Sequence, residues 1–175
     1  ISYEDVEERL SSLRQRSRRG ELVVNVRGVR ELLGSRFSRV KPLAEGGMGV
    51  IFTAEDSRLG KRVAIKVLHP YLMKDEKAIR RFLAEVKAVR ALKHSNIVRI
   101  FELEKGKAPY YTMEYCEGMT LTKLIEKKKL DKTRSLAILW GIAKGLEHAH
   151  SRKVVHRDLK PDNIIVTKTG TVKII

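Results

Sequence analysis

The most chemically dense stretch of the chain is HRDLKPDN, which places His156, Arg157, Asp158, Lys160, Asp162 and Asn163 within eight residues. A carboxylate that can accept a hydroxyl proton and a carboxamide that can bind a metal ion, carried on one loop, suit phosphoryl transfer. Lys160 adds positive charge near a transferring phosphate. A polar surface turn is the plain alternative, but it does not explain why apolar segments hem this loop in on both sides.

Two further features precede it. EGGMGVI is a tight glycine turn between two strand-like segments, and glycines there let backbone approach a phosphate chain without side-chain clash. Many hairpins contain two glycines, so the turn alone says little. It is not the P-loop of GTPases, because no Lys-Ser/Thr pair follows the last glycine. Lys66 lies inside the apolar run VAIKV. An ammonium flanked by buried residues needs an anionic partner, since leaving it unpaired is expensive. Glu85 and the phosphates of a ligand under the glycine turn are the two candidates; a lysine snorkelling out at the strand edge is the bland one.

These residues need elements to position them. RFSRVKPLA and GVIFTAEDS alternate as strands with the glycine turn between them, and SRLGK turns the chain into RVAIKVL. A helix is expected over about 77–92, where Ile79, Phe82, Leu83, Val86, Val89 and Leu92 recur every three or four residues. Glu85 lies beside that stripe and is expected to point toward the protein body. NIVRIFELE and PYYTMEY add two strands around KGKA, giving five strands with one helix after the third. After Gly118 the texture turns helical. LTKLIEKKK is a short helix, and 135–150 a longer one with Leu136, Leu139, Trp140, Ala143 and Leu146 on one face. The architecture is α+β: a small antiparallel sheet with one helix, joined at 115–118 to a mainly helical part. Clefts for small molecules tend to form at such joints.

With the motifs in order, residues 37–175 resemble a eukaryotic-type serine/threonine protein kinase domain of the kind also found in bacteria. The resemblance implies a two-lobe fold, with an N-lobe and hinge at 37–117 and the first part of a C-lobe at 118–175. It makes Leu43, Ala44, Glu45, Gly46, Gly47, Met48, Gly49, Val50 and Ile51 the glycine-rich loop over ATP. Lys66 corresponds to the residue that holds the α- and β-phosphates, and Glu85 to its helix partner. Asp158 matches the catalytic base, Lys160 the residue that steadies the γ-phosphate, and Asn163 a magnesium ligand. Met113 falls at the gatekeeper, Glu114 and Cys116 at the hinge that bonds adenine, and Ala64, Val50, Ile51 and Ile165 around the apolar slot. Lys160 matches serine/threonine rather than tyrosine kinases. Arg157 suggests control by activation-loop phosphorylation. Two departures stand out: Ala44 replaces the first loop glycine, and the Asp-Phe-Gly segment that supplies a second magnesium ligand is not in this sequence. The first residue is Ile1, so the sequence is read as a piece of a longer chain, and this piece by itself is expected to transfer little or no phosphate.

Composition bounds the remaining readings. No apolar run approaches the roughly 20 residues that cross a bilayer, and no signal pattern opens the chain. A single cysteine, Cys116, forbids an internal disulfide and suits a reducing, cytoplasmic setting. The net charge of +16 could attract nucleic acid, anionic lipid or phosphorylated ligands, or be balanced by acidic surface elsewhere. A nucleic-acid role rests on that charge alone. Residues 1–36 form an N-terminal extension of unknown role; 1–19 read as a helix whose RQRSRR end is a solvated terminus. His148 and His150 read as core or surface histidines rather than a metal pair. The expected partners are ATP with magnesium and a protein carrying serine or threonine. A catalytically silent nucleotide-binding or interaction module is the alternative from another class, and a small-molecule phosphotransferase a further one.

Overall fold

Burial alternates along GVIFTAED, with Phe52, Ala54 and Asp56 buried and Ile51, Thr53 and Glu55 half-buried, the period-2 signature of a pleated strand. The structure, a computed structural model, describes residues 26–105 and 108–175. The expected helix at 1–19 and the centre of the KGKA turn lie outside them. The described chain divides into two units, one comprising residues up to Lys87 with Ile100–Tyr115, the other Ala88–Arg99 with Cys116–Ile175.

In the first unit, α1 (Val26–Leu33) leads into β1 (Phe37–Gly46), β2 (Gly49–Asp56) and β3 (Lys61–Leu68). A 3₁₀ turn (Pro70–Leu72) and α2 (Glu76–Arg90) follow, then β4 (Ile100–Glu104) and β5 (Tyr110–Glu114). The antiparallel sheet has the order β1-β2-β3-β5-β4, so the five strands and the helix after the third appear as expected. One face carries the core of Phe37, Val40, Val50, Phe52, Val63, Ile65 and Val67. The VRELL segment, which shows no clear pattern in the sequence, forms α1 and contributes Val29 and Leu33 to that core.

A buried ion pair fastens the start of β1. Arg36 reaches Asp56 with Nε at 3.0 Å from Oδ1 and Nη2 at 2.6 Å from Oδ2, and its Nη1 bonds Glu102. Asp56 Oδ1 also accepts from the backbone N–H of Arg58 at 2.9 Å. Its own carbonyl takes the N–H of Gly60, which adopts φ +61° as a turn glycine should. Asp56 thus ties the β2–β3 turn to β1. Burial pushes its carboxyl up, but the hydrogen bonds from Arg36 and the turn outweigh this and hold it below the usual carboxylate value.

In the second unit, β6 (Gly118–Thr120), α3 (Leu121–Glu126) and α4 (Lys132–Ser151) precede a 3₁₀ turn (Pro161–Asn163), β7 (Ile164–Thr167) and β8 (Val172–Ile174). Asp131 caps α4, accepting the N–H of Arg134 at 2.7 Å. The buried side of α4 is Ile138, Gly141, Ile142, Gly145 and Ala149. Leu136, Leu139 and Trp140, the face expected from apolar spacing, are exposed at 58%, 60% and 65%. The glycines give the reason for this correction. A Cβ on Gly141 would lie 2.9 Å from Val172 Cβ, and one on Gly145 2.8 Å from Ile174 Cδ1, so the glycine side is where β8 approaches the helix. Asn96 fixes that strand, donating to the Val172 carbonyl at 2.9 Å and accepting from the Ile174 N–H at 2.8 Å.

Candidate functional site

The glycine turn and Lys66 both belong to the first unit. Gly46 pairs with Gly49, which leaves Gly47 and Met48 as a two-residue hairpin loop. Only Gly49 is demanded by close packing there, since a Cβ on it would sit 2.1 Å from the Val67 carbonyl oxygen. Gly47 faces open space, so the turn presents bare backbone. The turn is held from behind by residues no motif singled out. His69 Nε2 donates to the Gly46 carbonyl at 2.8 Å, Tyr71 Oη to the Gly47 carbonyl at 3.1 Å, and the His69 N–H to the Met48 carbonyl at 3.1 Å. HPYL follows the strand without periodicity, so the sequence carries no signal for these contacts.

Register places the side chains. Ile51 lies opposite Lys66, Lys66 opposite Tyr111, and Ala64 opposite Met113. Directly opposed residues share a face, as do residues two apart, so Ile51, Ala64, Lys66 and Met113 line one side of the sheet. Ala44, opposite Ile51, joins them, while Leu43 sits at an irregularity between Pro42 and Ala44. Val50 does not join: strand alternation turns it to the other face, into the core with Phe52 and Val67. Its expected place around an adenine slot is therefore corrected, and Ile51 is the β2 residue on the Lys66 face. α2 packs on that face too, through Phe82 against Tyr111 at 5.5 Å between ring centroids.

Lys66 is half-buried there. Burial pushes its ammonium below the ordinary lysine value, and the field of Glu85 partly opposes this. No carboxylate among the described residues lies within 4 Å of it, and Glu85 is exposed on α2. Glu85 falls outside the buried stripe of Ala78, Phe82 and Val86, yet its charge still reaches Lys66 and Tyr111 on the sheet face that the helix covers. Glu114 ends β5, and Cys116, half-buried, begins the second unit.

The second unit carries the polar loop. Arg157 adopts φ +64°, a left-handed conformation unusual outside glycine, and just after it the Asp158 N–H returns to the His156 carbonyl at 2.8 Å. This sharp bend leaves the Asp158 side chain 66% exposed. Lys160 Nζ lies 2.9 Å from Asp158 Oδ2, and Asn163 Nδ2 donates to the Asp158 carbonyl at 2.7 Å and to Oδ2 at 3.1 Å. Hydrogen bonds from Lys160 and Asn163 hold the Asp158 carboxyl below its ordinary value, and the same contact raises the Lys160 ammonium. Behind the loop, His156 Nε2 donates to the Ile175 carbonyl at 2.8 Å and the Ile175 N–H to the Asn163 carbonyl at 2.9 Å. Ile165 is half-buried on β7. Asp158, Lys160 and Asn163 are thus in contact on one loop, with a solvent-facing carboxylate at the centre.

The donor set can be tested against a nucleotide and its metal. A partly desolvated lysine lacking a protein carboxylate at ion-pairing distance fits an anionic ligand. Asn163 commits its Nδ2 to Asp158, which leaves Oδ1 as the hard oxygen a magnesium ion prefers. Among the described residues no group of three His, Cys, Asp or Glu could hold a metal. The His148 ring lies 4.8 Å from that of His94, tilted by 35°, and contacts Arg152, while His150 is exposed. No helix among the described residues is long and apolar enough to cross a membrane.

Comparison with known proteins gives a consistent picture. A probable serine/threonine-protein kinase of Streptomyces coelicolor is 36% identical over 149 residues, covering 82% of this chain and 22% of the relative. The serine/threonine-protein kinase PrkC of Bacillus subtilis is 38% identical over 144 residues, covering 81% and 22%. Pkn1 of Myxococcus xanthus, also a serine/threonine-protein kinase, is 38% identical over 133 residues, covering 75% and 19%. The chain spans about a fifth of the length of these relatives. The protein kinase domain family matches residues 37–175, from the first strand of the five-stranded sheet through the loop of Asp158, and the chain belongs to that family.

Proposed function

We propose that the protein transfers the γ-phosphoryl group of ATP to a serine or threonine hydroxyl of a protein substrate. The observation that carries this reading is the Asp158 carboxylate, exposed, kept ionised, and gripped by Lys160 and Asn163. In the reaction the substrate hydroxyl oxygen forms a bond to the γ-phosphorus while the bond from that phosphorus to the bridging oxygen of ADP breaks. Asp158 takes the hydroxyl proton, and Asn163 keeps its carboxylate aimed. Lys160 offers positive charge to the transferring group, and Lys66 to the phosphates that remain with ADP. Asn163 Oδ1 would hold magnesium, which when bound neutralises phosphate charge. Ala64, Ile51 and Met113 offer an apolar surface to the adenine, and backbone groups around Glu114 and Cys116 its hydrogen bonds. A cytoplasmic setting belongs to the same reading.

The exposure of Glu85 and its lack of an ion pair with Lys66 favour a second reading, a module that binds nucleotide without turning it over. Incubation of the whole protein with magnesium and radiolabelled ATP separates the two. Label incorporated into serine or threonine of the protein itself or of a basic test substrate supports the kinase. ATP binding without any transfer supports the silent module.

A further inference from the structure

The glycine turn is built of residues that do not hold a conformation by themselves. Gly47 has open space where a side chain would be, and a Cβ on Gly46 would meet nothing closer than 4.0 Å. Such a turn samples many backbone states unless something outside fixes it. Three successive carbonyls, those of Gly46, Gly47 and Met48, are taken up by one short segment, His69 to Tyr71. The segment is rigid in its own right. Pro70 opens the 3₁₀ turn, His69 is 5% exposed, and its ring stacks on Tyr71 at 5.0 Å with 21° between planes. Because Nε2 faces a carbonyl it must carry the proton, and Nδ1 is buried with no partner among the described residues.

Peptide geometry gives the consequence. No peptide bond among the described residues is cis, so the N–H that follows each carbonyl points the opposite way. With the carbonyl of Gly46 directed at His69 and that of Gly47 at Tyr71, the N–H groups of Gly47 and Met48 are directed away from that segment. We propose that His69 and Tyr71 are positioning residues that latch the glycine turn by its carbonyls and so hold its N–H groups ready for the phosphates of the nucleotide. This rests on the reading of the protein as an ATP-dependent kinase. Neither residue touches the reacting atoms; both act through the turn.

The test uses the whole protein as wild type, Tyr71→Phe, His69→Ala and His69→Gln. Tyr71→Phe removes one hydroxyl and keeps the ring, and Gln can return a side-chain N–H toward Gly46. Two readouts are taken: amide hydrogen exchange of residues 45–50 without nucleotide, and KM for ATP against kcat. Loss of one hydrogen bond of ordinary strength corresponds to about a fivefold change. Tyr71→Phe and His69→Ala should raise exchange at the turn and KM for ATP by about that factor, leave kcat within about twofold, and His69→Gln should recover much of the loss. Unchanged exchange in Tyr71→Phe overturns the latch. Faster exchange with an unchanged KM overturns its role toward phosphate. A wild type that binds no ATP overturns the kinase reading and the phosphate role together, whereas exchange in the free protein still decides whether the latch exists.

Discussion

Asn163 donates through one amide nitrogen to two oxygens of Asp158, the backbone carbonyl at 2.7 Å and Oδ2 at 3.1 Å. The carboxamide therefore fixes both the bend of the loop and the aim of the carboxylate. Asn163→Ala should lower kcat by about 100-fold, near the lower end of what a positioned general base contributes. Hydrogen bonds that favour the charged form depress a carboxyl pKa, so their removal should raise that of Asp158 toward the ordinary aspartate value of about 3.9. A general base is competent only when ionised, so if Asp158 has that role the acid limb of the pH–rate profile should move to higher pH in the variant. Carboxyl titration by NMR checks the same shift directly.

Lys66 gives a prediction in which stability and ligand binding part company. Its ammonium is partly desolvated and its pKa is lowered by burial. Replacing such a charge with an apolar side chain of similar length removes a desolvation cost. Lys66→Met should unfold at the wild-type temperature or above it in the absence of nucleotide. Ligand that binds only the folded state raises Tm by mass action, so millimolar ATP with magnesium should stabilise the wild type much more than the variant. Differential scanning fluorimetry with and without ATP reads both effects in one experiment.

The Arg36–Asp56 pair should be a strong point of the first unit. The Asp56 side chain is fully buried and that of Arg36 13% exposed. Breaking a buried pair by neutralising one partner typically costs about 3 kcal/mol, because the other charge is left uncompensated. Asp56→Asn should lose roughly that much in urea denaturation. The folded Asp56 pKa lies below its unfolded value, so its contribution is complete above about pH 3.9 and fades as pH falls through the folded pKa. The acid-dependent part of the wild-type stability curve should shrink in Asp56→Asn.

The turn glycines should not be equivalent. Gly49→Ala drives a Cβ to 2.1 Å from the Val67 carbonyl oxygen, a clash with backbone that only a shift of β2 against β3 relieves. A loss of about 1–3 kcal/mol is expected, as for overpacking elsewhere. Gly47→Ala meets open space at a negative φ and should change stability by about 0.5 kcal/mol at most. Thermal melts of the two variants side by side check the contrast.

Much of this was legible in the residues, and the places where it was not share a cause. The five strands announce themselves by alternation, and HRDLKPDN by residue types that one loop can bring together locally. Contacts set by tertiary packing left weaker traces. On α4 apolar residues recur on both sides, and the side that packs was chosen by Gly141 and Gly145, which admit β8, rather than by Leu136, Leu139 and Trp140. Val50 and Ile51 are equally apolar, and only the register Ile51 to Lys66 shows which one faces the lysine. Glu85 adjoins the apolar stripe in the sequence, yet the helical phase leaves it exposed. Arg36 with Asp56 and His69 with Gly46 are separated by 20 and 23 residues and belong to no local pattern, so only the fold reveals them.

The central claim is that Asp158 is the proton acceptor of a phosphotransfer from ATP to serine or threonine. Phosphate transfer by the whole protein, wild type against Asp158→Asn, tests it most directly, with nucleotide affinity measured in parallel. Asparagine keeps the shape and loses the basic oxygen, so transfer should fall by a factor of about 100 to 10,000 while ATP affinity stays within about threefold. Full transfer by Asp158→Asn would contradict the account.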